Sequence, residues 1–161
     1  MLIYLEKFLP LVIRAVSDQL RIHGHLPPTL HMGLRDGSWR SGEFPPELLA
    51  SPSMKDVLMI AVRDLISQYR PVVAVLVMEA WSVDALPDGE ILAAPAAEPR
   101  RKEVVVVIGA TTEINRVWLG PILRNDLGAV TGVGPFESQQ LVVAPTGMHR
   151  FFAPVPNEEM N

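Results

Sequence analysis

Val72-Val-Ala-Val-Leu-Val-Met-Glu-Ala-Trp81 decides the fold. A near-continuous apolar run rich in β-branched residues, with a single carboxylate near its end, reads as a central strand buried on both faces. A second run, Glu103-Val-Val-Val-Val-Ile-Gly-Ala-Thr-Thr112, has the same character. The two match in length, and the stretch between them, 82–101, is rich in Pro, Ala, Asp and Gly without periodicity, so they are expected to be adjacent antiparallel strands joined by a long, mobile loop. Glu79 and Trp81 then sit at one end of the sheet.

Upstream, Ser51-Pro-Ser-Met-Lys-Asp56 marks a helix start. Either serine can cap it, Pro52 suits the first turn, and Ser53 with Asp56 resembles a capping box. The helix is expected to run to about Tyr69, where Pro71 ends it and hands the chain to the central strand. Met54, Val57, Leu58, Ala61, Val62, Leu65 and Ile66 form a broad apolar stripe that Met59 and Ile60 widen, so the helix is expected to be covered on more than one side. The short connection folds it back onto the sheet. Its face is assigned to Val72, Ala74, Leu76, Met78 and Ala80, where alanines allow close approach, and the other face, with Val73, Val75, Val77, Glu79 and Trp81, falls partly to an N-terminal helix.

That first helix is read from Leu9, Val12, Ile13, Val16 and Leu20 at helical spacing, with Gly24 as its stop. Pro10 either lies in its first turn or kinks a longer helix running from about Leu2. Thr29 to Arg35 alternates as a half-buried strand, Asp36-Gly37 is a tight turn, and Ser38 to Phe44 is a thin return strand. Asn115 to Arg124 is expected as the third strand of a meander, with Pro121 making it an edge or bulged strand. Gly128 to Pro135 reads as a glycine-rich loop and Gln139 to Ala144 as a further strand. The whole is expected to be one α+β domain over 1–153, an antiparallel sheet of about five strands with two helices packed on it, and 154–161 a flexible polar tail.

At 161 residues the chain is long enough to bury about 70% of its unfolded surface without a metal or disulfide. There is no cysteine, which removes thiol nucleophiles, iron–sulfur clusters and cysteine-ligated zinc. A net charge of -4 gives no general attraction to nucleic acid or anionic lipid, and Arg100-Arg-Lys102 is flanked by Glu98 and Glu103. Glu6, Lys7, Arg14 and Asp18 interrupt the apolar N-terminus well short of the ~20 residues of a membrane span, and no cleavage site follows. A cytoplasmic protein with no membrane or nucleic-acid partner is the expectation, and the Arg-, Ala- and Pro-rich composition fits a GC-rich bacterial genome.

Glu79 is the sharpest chemical candidate, because a carboxylate in an aliphatic strand must be solvated, paired or raised in pKa. It is expected to be largely buried and bound to an arginine (Arg63, Arg116 or Arg124) or to backbone donors, a structural rather than a catalytic group. Trp81 beside it can line a ligand pocket. His23, His25 and His31 suggest a metal site, but no carboxylate stands at a zinc-enzyme spacing, and His31 falls on the polar face of its strand, so neither metal nor cofactor is expected. The glycine loop lacks the Lys-Ser/Thr end of a phosphate loop, and no serine sits in a nucleophile elbow.

The Glu-Ala-Trp and Pro-Arg-Arg-Lys-Glu-Val segments, with the capped helix before them, resemble a loose group of small bacterial and phage-associated proteins of unknown function, over roughly residues 53–112. The resemblance implies the strand–loop–strand arrangement and brings no activity with it. The leading expectation is a non-enzymatic accessory or interaction domain that self-associates as a homo-oligomer, through an edge strand or the apolar 53–69 helix. The alternative is a small enzyme or ligand-binding protein with a pocket near Glu79 and Trp81.

Overall fold

The computed structural model describes residues 2–82, 101–112 and 114–139. Helix α1 (Leu2–His23) is followed by the hairpin β1 (Thr29–Gly33) and β2 (Trp39–Glu43), a single 3-10 turn (Pro46–Leu49) and helix α2 (Pro52–Tyr69). Then come β3 (Val73–Ser82), β4 (Lys102–Ala110), β5 (Asn115–Arg124), β6 (Val130–Val133) and β7 (Glu137–Gln139). The strands form one antiparallel sheet in the order β2-β1-β3-β4-β5-β6, with β7 also paired to β5. The α+β class and the two helices match expectation, but the sheet has six to seven strands rather than five.

β3 and β4 pair antiparallel from Ala74 opposite Ala110 to Ser82 opposite Lys102, as their matched valine runs predict. β2 is the thin return strand expected within 38–44. Trp39–Glu43 pairs with β1 despite its polar sequence, because the Asp36-Gly37 turn sets the register: Gly37 has φ +83°, and the Asp36 carboxylate accepts from the Ser38 N–H at 2.8 Å. The correction is β6. Val130–Val133 is not loop but strand, because only Gly128 (φ +80°) is needed for the turn. Asn125 Oδ1 closes that turn by accepting from Leu127 N–H and Ala129 N–H, both at 3.0 Å.

Of the two alternatives expected for β5, the edge strand fails, since it has β4 on one side and β6 and β7 in succession on the other, while an irregularity of the bulge kind is present where its register to β6 shifts between Leu123 and Arg124. Pro121 sits where β6 and β7 meet. In an antiparallel ladder the N–H and C=O of one residue point the same way, and Pro121 O accepts from Gly134 N–H at 2.7 Å, so its missing donor faces the interruption and no ladder bond is lost. Of the expected 139–144 strand only Gln139 is described, as the last residue of β7; its remainder, nearly all of the loop expected over 82–101 and the expected 154–161 tail lie outside the described residues.

Two cores lie on the two faces of the sheet. α1 lays Leu5, Phe8, Val12, Val16 and Leu20 over Val73, Val75, Val77, Val105 and Val107. Pro10 is exposed, so the carbonyl that its missing N–H leaves unbonded meets water, and the helix runs its full length from Leu2. α2 packs Leu58 and Val62 with Leu30, Met32, Ala74, Leu76, Met78 and Ile108, as the alanine pattern predicts, but Val72, expected on this face, precedes β3 and packs on the α1 side because strand alternation begins only at Val73. Ser51 is its cap, accepting from Met54 N–H at 3.2 Å, so the alternative start with Ser53 and Asp56 as a capping box is not used. The helix ends at Arg70, in the left-handed region at φ 45°. The expectation that α2 is covered on more than one side fails among the described residues: only Leu58 and Val62 are buried, because one sheet face accepts one stripe and nothing lies on the other.

Candidate functional site

On β3 the odd-numbered side chains face α1. Val73, Val75 and Val77 are buried beneath it, and Glu79 and Trp81 continue the row beyond its C-terminal end. The helix stops at His23, and Gly24, at φ +76°, turns the chain back toward the strand. The Leu26 backbone N–H then donates to Glu79 Oε1 at 3.0 Å, the one hydrogen bond to this carboxylate among the described residues. Leu26 itself is buried in the α1 core, so Glu79 ties the chain leaving the helix to the sheet.

Glu79 is half-buried rather than largely buried, because α1 has ended before it. Burial is the largest influence on its carboxyl and raises its pKa, with Glu103 adding to the rise, while the Leu26 N–H and the charges of His25 and Arg124 oppose it. The expected arginine partner is taken. Arg124 forms a two-pronged pair with Glu103, Nε to Oε2 at 2.5 Å and a terminal nitrogen to Oε1 at 2.9 Å, and donates also to Gly128 O at 2.9 Å. Glu103 stands opposite Trp81 in the ladder. Trp81 is 40% exposed, with the Arg101 guanidinium 4.6 Å from its ring centroid. The sheet end therefore offers an indole shelf under a cation, a bidentate ion pair and a carboxyl that resists ionisation, which together can hold a polar ligand by stacking and charge.

His31 is not part of this group. It pairs with Val75 on β3, four residues from Glu79 and so ~13 Å away along the strand. Its Nδ1 lies 2.8 Å from Ser41 Oγ, and the Trp39 indole N–H donates to the same oxygen at 3.0 Å. An indole only donates, so the Ser41 hydroxyl proton is free to go to Nδ1, and the ring is then neutral with its proton on Nε2. Burial, which lowers the His31 pKa, favours the same state. Trp39 in turn stacks on Phe8, with centroids 3.5 Å apart. The cluster closes the edge of the α1 core at the β1–β2 hairpin.

His25 lies on the connection after α1, its Nδ1 3.2 Å from His23 O, and no three His, Asp or Glu side chains form a metal-holding group among the described residues. Around the sheet end, Arg101 and Glu103 are absent from the sequence-derived site candidates, Arg124 is named there only as a partner for Glu79, and His25 only within a metal group. The antiparallel pairing of the valine runs could have found Glu103, since it fixes that residue opposite Trp81. Among the described residues no helix is long and apolar enough to cross a membrane. Comparison of the chain with protein-family models, curated proteins and solved structures finds no match.

Proposed function

We propose that this chain is a non-enzymatic interaction domain that self-associates through the outward face of α2, acting in the cytoplasm without nucleic acid or membrane. One observation carries the reading: Val57 and Ile60, one turn apart, are 49% and 59% exposed on a helix that buries only two residues. Side chains of this kind clustered on one helical face mark a docking surface more often than single exposed leucines do. The sheet edge is the poorer route. β2 is short, carries Arg40 and Glu43, and turns Trp39 and Ser41 inward toward Phe8 and His31, features that discourage strand addition. Sedimentation equilibrium over micromolar to millimolar protein tests the proposal. Association that Ile60→Glu abolishes, with the melting temperature unchanged, supports it; a monomer at every concentration removes it.

A second reading has its own support in the half-buried Glu79 beside the exposed Trp81 under Arg101, a place where a small polar ligand could stack. Quenching of the indole fluorescence by a ligand, lost in Trp81→Ala, would favour it. The kinship suggested by the Glu-Ala-Trp and Pro-Arg-Arg-Lys-Glu-Val segments remains part of the proposal and adds no activity to it.

A further inference from the structure

We infer that α2 pairs with α2 of a second copy of this chain in antiparallel fashion, about a two-fold axis crossing the helix between Met59 and Ile60, and that Asp56 and Arg63 set this register. The inference rests on the self-association proposed above and specifies its geometry. It begins with the helical wheel. At about 100° per residue, the direction opposite the buried Leu58 and Val62 is occupied by Ile60, flanked on one side by Asp56 and Arg63 and on the other by Asp64 and Val57. Asp56 and Arg63 are seven residues, about two turns, apart on the same flank.

Both are exposed, and neither makes a hydrogen bond or ion pair among the described residues. Two unpaired opposite charges on one flank, placed symmetrically about the exposed apolar centre, are self-complementary. A two-fold axis between Met59 and Ile60 brings Asp56 opposite Arg63 of the second copy, and Arg63 opposite Asp56 of the second copy. The same operation sets Ile60 against Ile60 and Met59 of the second copy. An isologous contact needs this property, one patch that complements itself under the rotation. In a parallel two-fold pair the two Asp56 side chains lie on opposite flanks and Arg63 faces Asp64 of the second copy instead of Asp56, so reversing both Asp56 and Arg63 distinguishes the two orientations.

Ser53 and Ser67 lie near the two ends of this face, both exposed. Under the same axis each comes within one residue of the other's level on the second copy. Neither is large enough to hold the helices apart, so Ile60 can reach its counterpart. One helix face is a small contact, below the ~800 Å² per partner of a stable interface. The expected association is therefore weak and set by few residues, which makes it sensitive to single charges.

Charge reversal tests the pairing. Sedimentation equilibrium is run on the intact chain, on Asp56→Arg, on Arg63→Asp and on the double reversal, with Arg14→Asp on the exposed side of α1 as a control for net charge. Each single reversal brings like charges together twice and is expected to weaken association about tenfold or more. The double reversal restores opposite charges at both places and returns the dissociation constant to within about threefold of the original. Arg14→Asp leaves it unchanged. Melting temperatures read on the same samples establish that each variant is folded, as its exposed position leads one to expect. If the chain associates and the single reversals have no effect, or the double reversal is no better than either single, the antiparallel pairing is wrong while self-association stands. A chain that never associates overturns both.

Discussion

The two helices are close in length and both are amphipathic, yet one buries five large side chains in a row and the other only two. α1 lies over the valine-rich side of β3 and β4, where Gly109 and Gly120 lack side chains and let Leu5, Trp118 and Phe136 settle onto the sheet. α2 lies over the alternating side and leaves Val57 and Ile60 in water. The apolar content of a helix does not report how much of it is covered; the relief of the surface beneath it does. One helix secures the fold, and the other is free to present a surface.

The sharpest way to break that contrast is to shorten a side chain on each helix. Leu20 of α1 is fully buried against the sheet, so Leu20→Ala is expected to cost about 2–5 kcal/mol in urea unfolding. Val57→Ala, measured at low protein concentration, should stay within about 0.5 kcal/mol. Comparable losses would mean that α2 is as firmly packed as α1. A smaller effect separates the glycines. A Cβ on Gly109 falls 2.7 Å from Leu5 Cδ1 and 2.9 Å from the Trp118 ring, whereas one on Gly42 in β2 meets nothing within 4 Å. Gly109→Ala is expected to destabilise by about 1–3 kcal/mol through overpacking. Gly42→Ala should change stability by no more than about 0.5 kcal/mol.

Much of this architecture is legible in the residues. The runs at 72–81 and 103–112 announce their pairing because strands buried on both faces leave no room for polar residues, and the alanines at 74 and 80 identify the side that takes α2. The turn at 125–129 is harder. Three glycines between 128 and 134 look like one loop, but Gly128 alone has positive φ, and β-branched Val130 and Thr131 continue as strand. The sheet end is legible only in part. Glu79 and Trp81 stand out as interruptions of an apolar run, but Leu26, which binds the carboxylate, is 53 positions away, and no local pattern signals a contact made where a helix happens to end.

The start of α2 contributes less than its two buried side chains and is confined to one serine. Ser51 accepts from Met54 N–H, while Ser53 reaches only Ser51 Oγ at 3.1 Å. Ser51→Ala is therefore expected to cost about 1 kcal/mol and Ser53→Ala almost nothing, by thermal or urea melts. If the two serines prove equal, the helix starts from a different cap than the geometry indicates.

The smallest effect lies at the boundary where the cover of α1 gives out, and it is read as a dependence on pH. Glu79 has a folded pKa above its ordinary 4.5, with burial as the first cause. Between 4.5 and that raised value the folded chain binds more protons than the unfolded chain, so stability falls as pH rises through the window. Below the window both states are protonated and the contribution is fully present; above it the contribution has been lost. Glutamine is close in shape, keeps a carbonyl oxygen for the Leu26 N–H and carries no charge to desolvate. Glu79→Gln is therefore expected to match the parent chain at pH 4 and to equal or exceed its stability at pH 7. Paired urea melts at successive pH values give the difference directly. A variant that is weaker at pH 7 and recovers toward pH 4 would show an anion stabilised by its surroundings, with Arg124 and His25 outweighing burial. The sheet end would then be a site that favours negative charge rather than one where burial makes ionisation costlier.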